Sequence, residues 1–391
     1  MKKFIEGSQA VAEAIRLCKP GVISAYPITP QTHIVENLAQ FVADGELDAQ
    51  FVNVESEHSA ASVVLGALAT GVRAFTATSS QGLLLMAEVL YNIAGMRLPL
   101  VLTCANRALS APISIWNDHQ DSLGMRDTGW IQVYGENNQE VLDLHIQAYK
   151  LAEKIMLPVM VCMDGYILTH GYEPVDVPEQ EKVDEFLPSY QSHYKLDPSR
   201  PITMGYLAEP AYYMETRIDI QNALRKALDL IPQISEEFKQ TFGRNSGGLI
   251  EAYRLQDAEL ALIAQGSVAG TIKEVVDRLR EEGKKAGMLR IITYRPFPAQ
   301  AVYQALKNVL SIGVVEKAIS LGSIGPLCTE IKAIFQDKPE KPKISGFVAG
   351  LGGRDITLET VRRIFEKLEG EQKDLEFIDV KEELLDGFIR F

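Results

Sequence analysis

Between Gly21 and Cys162 the sequence switches repeatedly between short apolar runs of strand length and longer segments with helical spacing, and this alternation limits the fold more than any other feature. Gly21–Tyr26, Gln50–Val54, Arg73–Thr78, Leu98–Ala105 and Pro158–Cys162 read as strands. Ser8–Cys18, a segment running from Thr29-Pro30 to Ala43, Ser56–Ala69, Ser80–Ala94 and Gln139–Lys154 read as helices. Strands buried on both faces and joined by helices make a parallel sheet with a helical layer on either side, so the expected class is α/β with a doubly wound sheet.

From Val175 to Asp257 the pattern breaks. Proline, tyrosine and charged residues dominate up to Tyr213, and a long polar helix follows over Thr216–Phe242. Gly243 and the Gly247-Gly248 pair then mark a junction, so this stretch reads as an extended connector and a bridging helix. A second β/α run starts at Glu259–Ala264, with a helix over Thr271–Glu282 and strands at Met288–Thr293, Ser311–Val315 and Ile344–Val348. It predicts a smaller α/β domain of about 100–130 residues. The expected division is residues 1–256 and 257–391.

Composition removes several functions. Lys and Arg number 39 against 52 Asp and Glu, a net charge of −13, and so acidic a surface repels phosphate backbones, so nucleic acid is not an expected partner. The four cysteines (Cys18, Cys104, Cys162, Cys328) show no ligand spacing, so no metal or iron–sulfur cluster is expected on this chain. Buried reduced thiols and a reducing compartment are the expectation. Met1-Lys2-Lys3 leads into an amphipathic pattern, and no apolar run reaches the roughly 18–20 residues of a membrane span, so the expected location is the cytoplasm, away from membranes.

Chemistry-bearing residues gather at the strand-to-helix corners. Tyr26-Pro27-Ile28-Thr29-Pro30 offers Thr29 as an N-cap and Pro30 as the first helical residue, where its missing N–H costs nothing. A helix N-terminus at a sheet's carboxyl edge also favours an anion. Glu55-Ser56-Glu57-His58 occupies the next corner, where Glu57 could accept a hydrogen bond from a heterocyclic nitrogen. Thr76–Gly82 is rich in hydroxyls and closed by glycine, and Asn106-Arg107 follows the fourth strand, with Arg107 offering a planar fork for a carboxylate. Each corner taken alone is better explained as capping or solvation. Asp118-His119-Gln120-Asp121 is dense in polar groups and reads as hydrogen-bonded support or an interface. No G-x-G-x-x-G follows the first strand, and no P-loop, H-E-x-x-H or serine–histidine elbow is present.

Ala25-Tyr-Pro-Ile-Thr-Pro30, Ser56-Glu57-His58, Thr78-Ser-Ser-Gln-Gly82, Asn106-Arg-Ala-Leu109 and Asp118-His-Gln-Asp121 together resemble the α subunits of the 2-oxoacid:ferredoxin oxidoreductases. Tyr294-Arg-Pro-Phe-Pro298 and Gly346-Phe-Val-Ala-Gly350 through Arg354-Asp355 extend the resemblance into the second domain. Pyruvate:ferredoxin oxidoreductase is the best-known member. The resemblance implies that the first domain is the pyrimidine-binding half of a thiamine-diphosphate site and that the second is similar to the transketolase C-terminal domain. Glu57 then corresponds to the glutamate that shares a proton with ring nitrogen N1′, favouring the tautomer whose exocyclic nitrogen acts as base at C2. Thr29 and Arg107 correspond to the pair that receives the substrate's carboxylate and 2-oxo group, and Pro27, Ser80 and Gln81 to further cofactor contacts.

The resemblance also implies what other chains carry. The diphosphate half of such enzymes has a Gly-Asp-Gly…Asn motif that holds Mg²⁺, and the only similar string here, Met163-Asp164-Gly165, lacks its leading glycine and a suitable asparagine. A β subunit with the diphosphate and Mg²⁺ half-site, γ- and δ-type subunits with [4Fe–4S] clusters, ferredoxin as acceptor and coenzyme A as co-substrate are therefore expected. The expected reaction is oxidative decarboxylation of pyruvate to acyl-CoA, with branched-chain, aryl and dicarboxylic 2-oxoacids as alternatives, because the loop Ala108-Leu-Ser-Ala-Pro112 departs from the pyruvate members and Trp116 adds bulk. A catalytically silent assembly subunit and a non-oxidative thiamine enzyme are the competing classes.

Overall fold

The computed structural model describes residues 1–385, which divide into two compact units. The first comprises Met1–Glu251 with Gln265–Ser267 and Ile291–Pro298; the second comprises Ala252–Ala264, Val268–Arg290 and the chain from Ala299.

The first unit runs β1 (Lys2–Glu6), α1 (Gly7–Cys18), β2 (Val22–Ser24), α2 (Thr32–Ala43), β3 (Gln50–Val52), α3 (Glu57–Ala69), β4 (Ala74–Thr78), α4 (Ser80–Leu85), α5 (Ala87–Gly95) and β5 (Val101–Asn106). It continues with α6 (Gln120–Gly124), β6 (Ile131–Tyr134), α7 (Asn138–Ile155), β7 (Val159–Asp164), β8 (Tyr172–Asp176), α8 (Gln180–Phe186) and α9 (Tyr213–Phe242). The strands β3-β2-β4-β5-β7-β6 lie side by side in that order, and those pairings are parallel. Thr293–Arg295, antiparallel to β6, closes the far edge. Between β2 and β4 the chain order reverses direction, and ligands of open α/β sheets bind outside the strand carboxyl ends at such a point. The corners after β2 and β4 are therefore where this fold opens a crevice. A two-stranded antiparallel ribbon, β1 with β8, lies apart from that sheet.

Several sequence expectations are corrected. Helix α2 begins at Thr32 with Gln31 in the cap position, so Thr29 is not its N-cap and Pro30 is not its first residue. The strand before it stops at Ser24, and the turn is instead closed by Gln31, whose side-chain amide donates to Ala77 O at 2.9 Å and whose amide oxygen accepts from Ile28 N. The helix expected over Ser80–Ala94 is interrupted at Met86, and β6 was not anticipated.

Helix α9 is core and not a bridge. Its face Ile220, Ala223, Ala227, Ile231, Ile234 and Phe238 is buried in the same apolar cluster as α1, α7 and the sheet. Phe238 packs edge-on to Phe186 at 5.5 Å between ring centroids. On the polar side of α9, Glu237 pairs with the Lys150 ammonium of α7.

In the second unit β10 (Leu260–Ala264), β11 (Ala286–Ile291), β13 (Ser311–Glu316), β14 (Lys343–Val348) and β15 (Glu376–Phe377) form parallel pairs in the order β15-β14-β13-β10-β11. Helices α10 (Val268–Glu281) and α13 (Leu358–Leu368) bury Val275, Leu279, Ile364 and Phe365 in this unit's core. The apolar stripe of α13 recurs at helical spacing (Val361, Ile364, Phe365, Leu368), which is why it docks one face on the sheet.

Candidate active site

The four corners named from sequence converge at the carboxyl edge of the first sheet. After β3, Ser56 caps α3 by accepting from Ser59 N at 3.2 Å, which places Glu57 in the first turn. Glu57 is only 8% exposed, and its carboxylate makes no hydrogen bond or ion pair among the described residues. It lies against Gly82 in α4: a Cβ at residue 82 would stand 2.7 Å from Glu57 Oε1 and 2.5 Å from Thr78 Oγ1. The Thr78 hydroxyl is itself buried without a hydrogen-bond partner. An unpartnered carboxylate and a buried hydroxyl without a hydrogen bond thus share one bare backbone surface, and the buried hydroxyl costs free energy unless a ligand completes it.

After β4, Ser79 Oγ donates to Ala105 O at 2.6 Å. Ser80 has φ +49, a left-handed conformation for a residue with a Cβ. Its hydroxyl donates to Ala108 O at 2.6 Å and its N–H to Asp121 Oδ2 at 3.0 Å. Ser80 therefore faces inward and shapes the corner, while the Gln81 amide reaches Ser110 O at 3.4 Å.

After β5, Arg107 is buried, and burial holds its pKa below the ordinary value. Its Nε donates to Ser114 O and its Nη1 to Thr29 O, both at 2.9 Å. Arg107 and Thr29 are thus joined through the Thr29 backbone carbonyl, while Thr29 and Pro27 sit exposed at the mouth. With Nε and Nη1 both donating to backbone carbonyls, the guanidinium is held in one orientation.

Beneath these corners lies a polar layer that sequence reading flagged without resolving. Asp121 is fully buried and accepts from Ser80 N, Arg107 N, Asn106 Nδ2 and Ser122 N at 2.7–3.0 Å. Burial pushes its carboxyl up to about 6, against the pull of those hydrogen bonds. His119 Nε2 meets Asp164 Oδ1 at 2.6 Å, and Ser267 N donates to Asp164 Oδ2 at 3.1 Å. Asp164, the one acid of the Met163-Asp164-Gly165 string, is thereby engaged within the fold. Among the described residues no group of three or more His, Cys, Asp or Glu could hold a metal ion. All four cysteines are buried and free, and Cys104 and Cys162, distant in sequence, stand opposite each other in the β5–β7 register.

The donor set suits a heterocyclic cofactor, since a buried carboxylate and a hydroxyl without partners can bind ring nitrogens.

Comparison with known proteins fits this geometry. The family model "Pyruvate flavodoxin/ferredoxin oxidoreductase, thiamine diP-bdg" matches residues 13–236, and "Pyruvate:ferredoxin oxidoreductase core domain II" matches residues 258–361. Pyruvate synthase subunit PorA of Methanocaldococcus jannaschii is 54% identical over 377 residues, covering 95% of this chain and 96% of its own. PorA of Methanothermobacter thermautotrophicus is 50% identical over 383 residues, 97% of this chain and 99% of its own. Ketoisovalerate oxidoreductase subunit VorA of Pyrococcus horikoshii is 45% identical over 369 residues, 94% of either chain. Two solved structures share the fold. One is a 2-oxoglutarate:ferredoxin oxidoreductase from Magnetococcus marinus with 2-oxoglutarate, coenzyme A and succinyl-CoA bound (TM-score 0.72, 20% identity, 94% of this chain and 65% of that one). The other is a split gene transketolase, an inactive β4 tetramer (TM-score 0.56, 11% identity, 94% and 98%). Two family models in tandem and end-to-end identity near one half leave one conclusion: the chain belongs to the 2-oxoacid:ferredoxin oxidoreductase family, as its α subunit.

Proposed function

We propose that this α subunit supplies the pyrimidine-facing half of a thiamine-diphosphate site and, with partner subunits, oxidises pyruvate. The 2-oxoacid and coenzyme A give acyl-CoA, CO2, one proton and two electrons, the electrons passing to ferredoxin. The observation that carries this reading is the Glu57 carboxylate, buried and unpartnered against Gly82 at the sheet's switch point. The cofactor, when bound, supplies the nucleophilic carbon and the electron sink that a bare protein lacks. Glu57 holds a proton at the aminopyrimidine ring nitrogen, and Arg107, pre-oriented by Thr29 O and Ser114 O, receives the substrate carboxylate. Thr29, at the mouth, faces the 2-oxo group, and Pro27 and Gln81 line the entrance.

The division of labour leaves the diphosphate, Mg²⁺ and [4Fe–4S] clusters to β-, γ- and δ-type partners in the cytoplasm. The engaged state of Asp164 supports that, because its carboxylate already accepts from Ser267 N and pairs with His119. Pyruvate as substrate is supported by the PorA relatives at 50–54% identity, with the VorA relative at 45% favouring a branched-chain 2-oxoacid as the second reading.

The test is purification with native partners followed by ferredoxin reduction with a panel of 2-oxoacids and coenzyme A. Pyruvate is expected to give the highest kcat/KM. Preference for 3-methyl-2-oxobutanoate would move the assignment to the second reading, and no reduction with any 2-oxoacid would end both.

A further inference from the structure

The layer beneath the site has a feature that the reading above does not use. One oxygen of Asp121, Oδ2, accepts the backbone N–H of Ser80 at 3.0 Å and that of Arg107 at 2.9 Å. These residues open two different corners, after β4 and after β5. The other oxygen, Oδ1, accepts from Asn106 Nδ2 at 2.8 Å and from Ser122 N at 2.7 Å, and the Cys104 thiol approaches Oδ2 at 3.6 Å. These five neighbours are all donors, so the pocket calls for an ionised carboxylate, which accepts only. Asn106 is in turn held by the Ser122 hydroxyl at 2.7 Å, which meets Tyr134 OH at 2.9 Å.

We propose that Asp121 is the positioning residue of this site, fixing through Oδ2 both the corner that backs Glu57 and the corner that carries Arg107. The inference rests on the reading of Glu57 as cofactor-facing and Arg107 as substrate-binding. On one side Ser80 N–H is held in its left-handed conformation at the start of α4, and Gly82, two residues on, sets where the Glu57 carboxylate stands. On the other side the Arg107 backbone is held where its side chain reaches Thr29 O and Ser114 O. Cofactor and substrate corners are thereby kept in register by one atom. Replacing the carboxylate by an amide turns an NH2 toward two donors whichever way it flips, and a buried donor facing donors is strongly disfavoured.

The charged and titratable groups facing Asp121 are Cys104 from β5, Arg107 from the loop that follows it, and Asp118 from the turn before α6, whose charge disfavours ionisation. Burial is the larger influence and raises the Asp121 carboxyl to about 6. Protonation below that value converts one oxygen to a donor and releases one of the two corners, so ligand affinity is expected to weaken on the acid side.

In the reconstituted complex, Asp121→Asn is expected to raise both the KM for pyruvate and the calorimetric Kd for thiamine diphosphate by about 10-fold or more, as buried hydrogen-bond losses do. Asp143→Asn, equally buried and bonded to Arg244, serves as the structural comparison: a lower melting temperature with both constants at wild-type values. Asp121→Asn that lowers the melting temperature while leaving KM and Kd unchanged would overturn the proposal. Should that variant not assemble, Asp121→Glu decides, because it keeps an acceptor-only carboxylate but moves it one methylene out of register: KM and Kd raised together support the positioning role, and both constants at wild-type values refute it. Glu57→Gln and Arg107→Ala are run alongside. If neither moves kcat, KM or Kd, the functional reading itself fails; if they do and Asp121→Asn does not, only the positioning role fails.

Discussion

Glu57, Thr78 and Gly82 meet at one point, and the consequence at residue scale is that a single methyl group can disable the site. In Gly82→Ala the new Cβ would stand within 3 Å of Glu57 Oε1 and Thr78 Oγ1, so the carboxylate must swing away. Ferredoxin reduction is expected to fall by about 10²-fold or more, the scale of a lost acid–base group, while the circular-dichroism spectrum stays that of the wild type. Arg107→Lys keeps the charge but not the planar fork that reaches both Thr29 O and Ser114 O. It should raise KM for the 2-oxoacid by about 10-fold or more with a smaller change in kcat, read from initial rates over a range of pyruvate concentration. Legibility at this scale followed chemistry. Glu57 was singled out by the resemblance of Ser56-Glu57-His58 to the family, because an acidic residue in a capped helix's first turn is by itself commonplace. Thr29 was misplaced because Thr-Pro carries the same signature whether it opens a helix or the turn before one. Asp121 could not be assigned, since its partners Ser80 and Arg107 meet it with backbone N–H groups that leave no side-chain signature.

At the scale of elements, α9 is the instructive case. Its composition is polar enough to read as a solvated span, yet Ile220, Ala223, Ala227, Ile231, Ile234 and Phe238 recur at spacings of three and four and share one buried face. Phe238→Ala removes a ring packed on Phe186 and Phe242 and is expected to cost about 3–5 kcal/mol, measurable as a fall in the denaturant midpoint of the isolated chain. The parallel sheet was legible because both faces of its strands are covered, which makes each a continuous apolar run; β4, β5 and β7 are buried along their whole length. Strand β6 is buried just as fully but escaped notice: it is short, and Gln132 interrupts its apolar run, its amide nitrogen satisfied by Ser122 O at 2.7 Å.

At the scale of the whole molecule, the second unit carries its own pH dependence. Glu316 ends β13 nearly buried and accepts from Leu327 N at 2.6 Å and Cys328 N at 3.2 Å at the start of α12 (Pro326–Phe335). Burial raises its carboxyl from 4.5 to about 7. The folded unit therefore binds that proton more tightly than the unfolded chain, and the stability it brings is complete below pH 4.5 and lost as pH rises through 7. That change is about 3 kcal/mol, and Glu316→Gln should flatten the melting temperature of this unit against pH over the same window. The four buried thiols have a use that follows from where they lie. Cys18, Cys104 and Cys162 belong to the first unit and Cys328 to the second, and none is reachable from solvent in the folded state. A thiol-specific dye should stay colourless on the native chain and report only opening events, at a rate set by the open population when reclosing is fast. Each unit thus carries its own internal clock, and mass mapping of the labelled peptides would tell which unit opens first.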